Sequence, residues 1–305
     1  MPDGHDAPAP ALARLRPLLG ELGDLKRIRS AGREGSVAHR GFRQAWCELA
    51  AGELPEVVAK RTTAAALAAA RLGDLDGPKL RELGLAPEEA LAVLRRAFDA
   101  VAVDLDPALA AILREGLSLD PRPEHGAPAF VHDLERQPRA GATCPDKPRL
   151  VLEPPENHAE HCWAVAVFGV LLSPAYSADP VEVFTASLAH HLHNAMMPDS
   201  GFTGEVLLGD RLTDVVDYAV AHALLQLDEP VRDTVRAARR VLPDAATPEG
   251  RAFHAADVID RVTQIAQHLR PASISMSTVL DELELVHDGP VKPFHDRVLA
   301  EMGLP

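Results

Sequence analysis

The chain is poor in cysteine, in aromatic residues and in basic side chains, and it has no long apolar run. Its three cysteines, Cys47, Cys144 and Cys162, are odd in number, far apart and never in a CxxC pair, which excludes a disulfide scaffold and a zinc ribbon. Aromatic residues make up 4% of the 305, too few for the stacking platforms that hold single-stranded nucleic acid. Against 45 acidic residues stand 31 Lys+Arg, a formal charge of -14 that repels a phosphate backbone, and no local basic patch reverses it. Nucleic acid is therefore not an expected partner. The longest clean apolar run, Cys162 to Leu172, falls short of the roughly 18 to 20 residues a membrane span requires, so no membrane contact is expected either. The opening MPDGHDAPAP has neither a cationic start nor an apolar segment; no secretory signal is read there, and cytoplasm is the expected location. What remains, at 47% hydrophobic and 25% charged, is a globular composition long enough for two compact domains.

Leucines recur at three-and-four spacing from Leu12 to Leu25, one face of a helix that Pro17 should bend or restart. Phe42 to Ala51, Thr62 to Leu72, Pro87 to Val103 and Pro107 to Leu117 repeat the pattern, with Pro in the first turn of the last two and Asp106 as a cap. Eight prolines between 121 and 155 mark residues 119–155 as a linker. Helical periodicity then returns in Ala159 to Leu172, Pro180 to Ala195, Leu212 to Leu227, Pro230 to Val241, Pro248 to Leu269 and a piece from Ser277. Period-two alternation is nearly absent, so the expectation is all-α. The chain divides into a leader over 1–10 within a helical N-terminal region (1–118), the linker, and a helical domain over 156–305. Ser200 to Asp210, with three glycines, reads as a loop: a connector or a lid.

What the chain has in excess is histidine. Of 14, seven fall between 158 and 254: His158, His161, His190, His191, His193, His222 and His254. His161 lies on one line with Val165, Phe168 and Leu172, so its ring points inward, where a polar group needs a partner. His190 follows Val183 and Ser187 on one face; His191, next to it, diverges by about 100° on a helix, and both reach one ion only from a helix end. His254 and Asp257 are three apart, hence on one face. Such a donor set suits a divalent cation, with manganese, iron, zinc or cobalt all compatible.

Glu156-Asn157-His158-Ala159-Glu160-His161-Cys162, followed by Val165-Ala166, resembles the opening of the HD-domain metallohydrolases, especially the bacterial deoxyribonucleotide 5′-nucleotidases. Leu188-Ala189-His190-His191 stands where that superfamily has its His-Asp pair. The run on to Asn194, Met197, Pro198 and Asp199 is similar to the cyclic-di-GMP phosphodiesterase version. Ala255-Ala256-Asp257-Val258-Ile259-Asp260 resembles the last ligand helix, and His222 stands about where two-metal members have an additional histidine. The resemblance covers roughly 156–270 and implies an HD-like helical bundle. It also implies that His161, His190 and Asp257 hold a metal, with His191 as a fourth ligand or an orienting neighbour. The departure is His191 itself, which replaces the family's Asp; imidazole offers one lone pair per nitrogen and is a poor bridge, which favours a single ion.

The function this implies is hydrolysis of a small-molecule phosphoester, a nucleotide being one option, by a metal-activated water. Asn194 stands near the position of the nucleotidases' proton-handling Glu, so His193 or Glu160 would carry the proton; Arg261, one turn beyond Asp257, would neutralise phosphate. A homodimer is compatible with the sequence. Two rivals remain: an HD-type iron oxygenase using His222 and His254 as further ligands, and a degenerate HD domain that binds or regulates. Trp46 and Trp163 are expected in the core, and His39, His125, His132, His268, His287 and His295 at the surface.

Overall fold

The computed structural model describes residues 9–119, 126–269 and 274–305. The N-terminal half contains α1 (Ala9–Asp24), α2 (Val37–Ala50), α3 (Pro55–Leu72), α4 (Gly77–Glu82), α5 (Pro87–Asp99), α6 (Pro107–Gly116) and α7 (Ala129–Arg136). Then come α8 (His158–Tyr176), α9 (Pro180–Ala189), α10 (Gly201–Leu208), α11 (Leu212–Leu224), α12 (Glu229–Ala238), α13 (Pro248–Leu269) and α14 (Lys292–Glu301). Among the described residues there is no strand, only two isolated antiparallel bridges, Pro138 to Asn157 and Ala142 to Leu150, so the protein is all-α as expected. No described helix is long and apolar enough to cross a membrane.

Local chemistry sets the helix starts. Asp106 Oδ1 accepts the Leu109 amide at 2.9 Å, Asp76 Oδ1 that of Lys79 at 2.8 Å and Asp179 Oδ1 that of Val181 at 2.8 Å, and each of these helices has Pro in its first turn. Pro17 does not restart α1, because Leu12, Leu15, Leu18, Leu19 and Leu22 of that helix are all buried and hold it against its neighbours. Of the leader expected over 1–10, Ala9 and Pro10 open α1 and the rest lies outside the described residues.

The centre of the molecule is α8, whose residues 158–173 are buried on every side. On one flank it packs against α9 and α13; on the other, against α2, α7, α1 and α3. A single core cluster consequently runs from Leu12 through Trp46, Phe168 and Ile259 to Met302. The stretch expected to be a linker is partly built into this core: α7 lies within it and buries Phe130, Val131 and Leu134. Those three follow the helical period, but the surrounding prolines mask it. Residues 120–125, including His125, lie outside the described residues.

The expected loop at Ser200 to Asp210 is instead the surface helix α10, bracketed by Gly201 and Gly209 at φ +66° and +51°. Phe202 on it stacks on His287, ring centroids 3.9 Å apart. Trp46 and Trp163 are buried as expected. Of the histidines expected at the surface, His39 and His295 are buried, because α2 and α14 turn them inward, and His132, His268 and His287 are half-buried, the last under Phe202.

Candidate metal centre

The start of α8 is a capping box: Asn157 Oδ1 accepts the Glu160 amide at 2.9 Å and Glu160 Oε2 accepts the Asn157 amide at 3.3 Å. Ser36 donates to the other Glu160 oxygen at 2.7 Å. Glu160, expected as a proton carrier, therefore has both oxygens engaged in holding the helix start. One residue later His161 is fully buried and donates from Nδ1 to Asp260 Oδ2 at 2.8 Å, so its other nitrogen, Nε2, points away from Asp260.

Helix α9 ends at Ala189, and His191 leaves helical geometry at φ -102°, ψ 22°. That break brings two consecutive rings to one place. His190 Nδ1 donates to the Ser187 carbonyl at 2.5 Å, and His191 Nδ1 donates to Asn194 Oδ1 at 2.8 Å. Asn194 Nδ2 donates to the Met197 carbonyl at 3.1 Å, which turns its oxygen toward His191. All three imidazoles thus have Nδ1 anchored on an acceptor, the arrangement that presents Nε2 to a metal.

The Nε2 atoms of His161 and His190 lie 3.1 Å apart, and Asp257 Oδ1 lies 3.2 Å from His161 Nε2. His161, His190 and His191 offer ligand atoms all within 4.8 Å of one another. Lone pairs gathered this closely need a cation or a proton among them. Nitrogen ligands sit about 2.0–2.1 Å from zinc, so two on one ion come roughly 3 Å apart, and the donor set fits a divalent metal. Burial and the neighbouring imidazoles push His190 and His191 well below the usual histidine range, keeping them in the neutral, ligating form. Burial alone would raise Asp257, but His161 beside it and the charge of Arg261 outweigh it and hold the carboxyl well below its usual range.

Three arginines surround the cluster. Arg261 NH1 is 3.7 Å from Asp257 Oδ2 while its NH2 donates to the Leu285 carbonyl at 2.6 Å; Arg239 donates to the Ala189 carbonyl at the end of α9. Arg139 lies in the field of Glu156, Asp257, Asp199 and Asp260, and its NH1 is buried with no protein partner among the described residues. His193 is half-buried, with no partner for Nδ1 among the described residues and a ring 5.5 Å from that of His191; burial and Arg239 push it down to about 4. His158 places Nε2 3.4 Å from Asp199 Oδ2.

Not all the expected ligands converge. His222 is exposed on α11, and His254 turns toward His295, ring centroids 5.6 Å apart; neither they nor Asp257, which approaches His161 alone, belong to a close donor group among the described residues. Residues that the sequence did not single out stand beside the cluster: Asp260, in a close donor group with Glu156 and His161, and Lys26, Arg139 and Asp199 around it. Asp260 could have been found, since it lies one turn beyond Asp257 on the same helix. Lys26, 234 positions from the Asp260 it contacts, carries no sequence signal. A separate cavity of about 540 Å³ opens across α8, between α2, α3 and Trp163, and none of the expected site residues lines it.

His161, His190, His191 and Asp257 are set on α8, the end of α9 and α13 of an all-α fold, as a candidate metal site. A family model described as HD domain matches residues 131–287, just over half of the chain, and the chain belongs to the HD-domain family. Comparison with curated proteins and with solved structures returns no match.

Proposed function

We propose that the protein is a metal-dependent hydrolase of a small-molecule phosphoester, with one divalent ion held by His161, His190, His191 and Asp257. The observation that carries this reading is the approach of His161 Nε2 to both His190 Nε2 and Asp257 Oδ1 at 3.1 and 3.2 Å. A bound divalent ion supplies a water of lowered pKa and polarises a phosphoryl oxygen. The chain supplies the rest. Asp260, the Ser187 carbonyl and Asn194 hold the three rings in register. Arg139, whose buried NH1 has no protein partner among the described residues, and Arg261 bind the phosphoryl oxygens as planar donors. His193, neutral at pH 7, accepts a proton at Nδ1.

The oxygenase reading needs His222 and His254 at the ion, and their positions on the surface of α11 and beside His295 do not support it. A purely binding domain would have no use for three imidazoles anchored through Nδ1. The deciding experiment loads metal-free protein with Mn2+, Co2+, Zn2+ or Fe2+ and screens nucleoside monophosphates, sugar phosphates and p-nitrophenyl phosphate for release of inorganic phosphate. Turnover with at least one metal, lost in His190→Ala, supports the reading. Metal binding without hydrolysis of any phosphoester defeats it.

A further inference from the structure

The family match begins at residue 131, yet the segment after α1 reaches the back of the metal centre. Lys26 is 4% exposed, and its Nζ donates to Glu156 Oε1 at 2.6 Å and to Asp260 Oδ1 at 2.7 Å. The second oxygen of Asp260 accepts from His161 Nδ1 at 2.8 Å, so a continuous line of hydrogen bonds joins Lys26 to the central ligand. Next to it, Arg27 NH2 donates to Gln264 Oε1 at 2.6 Å, which clamps the segment to α13 one turn further along.

Glu156, His161 and Asp260 are also a close donor group, within 4.8 Å of one another, and resemble a second cation site. The Lys26 ammonium already contacts two of the three. We propose that Lys26 is a positioning residue of the metal centre: a fixed cation, supplied by the N-terminal half in place of a second metal, that aims Asp260 so that its carboxylate holds His161 with Nε2 toward the ion. This rests on the metal-hydrolase reading and specifies how that site is held.

Stability alone does not account for the arrangement. A buried ion pair contributes little that well-packed apolar side chains of similar volume would not, because desolvation offsets much of the attraction. What an apolar side chain cannot do is fix which way the Asp260 carboxylate faces. Without the ammonium, the Glu156 and Asp260 carboxylates repel across a few ångströms, and Asp260 Oδ1 loses the donor that holds it.

The test is Co2+ titration of the metal-free full chain, followed by its visible absorption, for wild type, Lys26→Met, Lys26→Gln, Lys26→Arg, Asp260→Asn and the Lys26→Met/Asp260→Asn double variant, with the metal-free thermal midpoint recorded for each. Loss of an orienting partner of a metal-bound histidine costs roughly 10- to 100-fold in affinity, and that loss is expected for Lys26→Met and Lys26→Gln, with changed Co2+ band intensities. The double variant should bind no more weakly than Asp260→Asn alone, because Lys26 acts through Asp260, and Lys26→Arg should recover most of the affinity. A lowered thermal midpoint with Co2+ affinity within about twofold of wild type would make Lys26 merely structural and overturn the proposal. If Lys26→Met does not fold, Lys26→Gln, which keeps the polarity, decides between the same two outcomes. Wild type that binds no Co2+ in a His161-dependent way would instead sink the metal reading itself.

Discussion

His161 and His190 face each other Nε2 to Nε2 across 3.1 Å, although one lies on α8 and the other just past the end of α9, 29 positions apart. Their Nδ1 atoms are turned to Asp260 and to the Ser187 carbonyl, so the two free nitrogens have one shared use. Protein purified without added metal should therefore carry divalent ion near one per chain by elemental analysis. His161→Ala and His190→Ala should each abolish it, and His222→Ala, at an exposed position, should leave it unchanged. Equal metal in all four proteins would refute the site.

Asn194 fixes the His191 ring without touching the expected ion, accepting from Nδ1 at 2.8 Å and donating to the Met197 carbonyl. Asn194→Ala should weaken metal binding roughly tenfold, as other losses of ligand-orienting partners do, with little change in fold by circular dichroism. An unchanged dissociation constant would remove His191 from the ligand set.

His295 is 5% exposed with no partner for Nε2 among the described residues, and burial pushes it down to about 4 from 6.5. In the unfolded chain it takes a proton near pH 6.5, while the folded chain resists until about 4. Its stabilising contribution is thus complete above pH 6.5 and is lost as the pH falls toward 4, about 2 kcal/mol of it by pH 5. Urea unfolding of chelator-treated protein at pH 7.5 and pH 5 should show this loss, and His295→Leu should reduce it. Equal pH dependence in the two proteins would show that His295 is not held neutral.

The capping box at the start of α8 holds the helix that carries His161. Removing its Asn157 side chain by Asn157→Ala should cost about 1 kcal/mol, read as a lower urea midpoint at constant m-value. A midpoint equal to that of wild type would mean that the α8 start is held by Ser36 and the packing around it alone.

Arg261 contacts Asp257 only at 3.7 Å and also holds the Leu285 carbonyl. Arg261→Ala should raise KM for a phosphomonoester about tenfold, the cost of one charge-assisted contact, while metal content stays near wild type. A loss confined to kcat would instead place Arg261 in the chemical step.

Much of this was legible in the sequence, and unevenly. Helical periodicity located α1, α2, α3, α5, α6, α8, α9, α11, α12 and α13, because each has a long apolar face, but missed α4, α7 and α10, which are six or eight residues long and surrounded by proline or glycine. The candidate ligands His161, His190 and Asp257 were legible because each lies on a predicted helix face or in a family-like motif. The consecutive pair required a helix end, and α9 supplies it after Ala189. Glu160 shows the limit of the sequence, because a capping box and a catalytic acid look alike there; only the structure shows its Ser36 and Asn157 contacts.

By itself, then, the amino-acid sequence determined the all-α class through helical periodicity, and its short motifs pointed to the family and to three candidate ligand positions. The partners of those ligands were decided by tertiary structure. Lys26 meets Asp260, and Ser36 meets Glu160, only because α8 is buried on all sides and needs the N-terminal helices to cover its second flank. Contacts of that kind span 124 to 234 positions and leave no local pattern, because what joins them is the burial of a shared helix, not the chain between them.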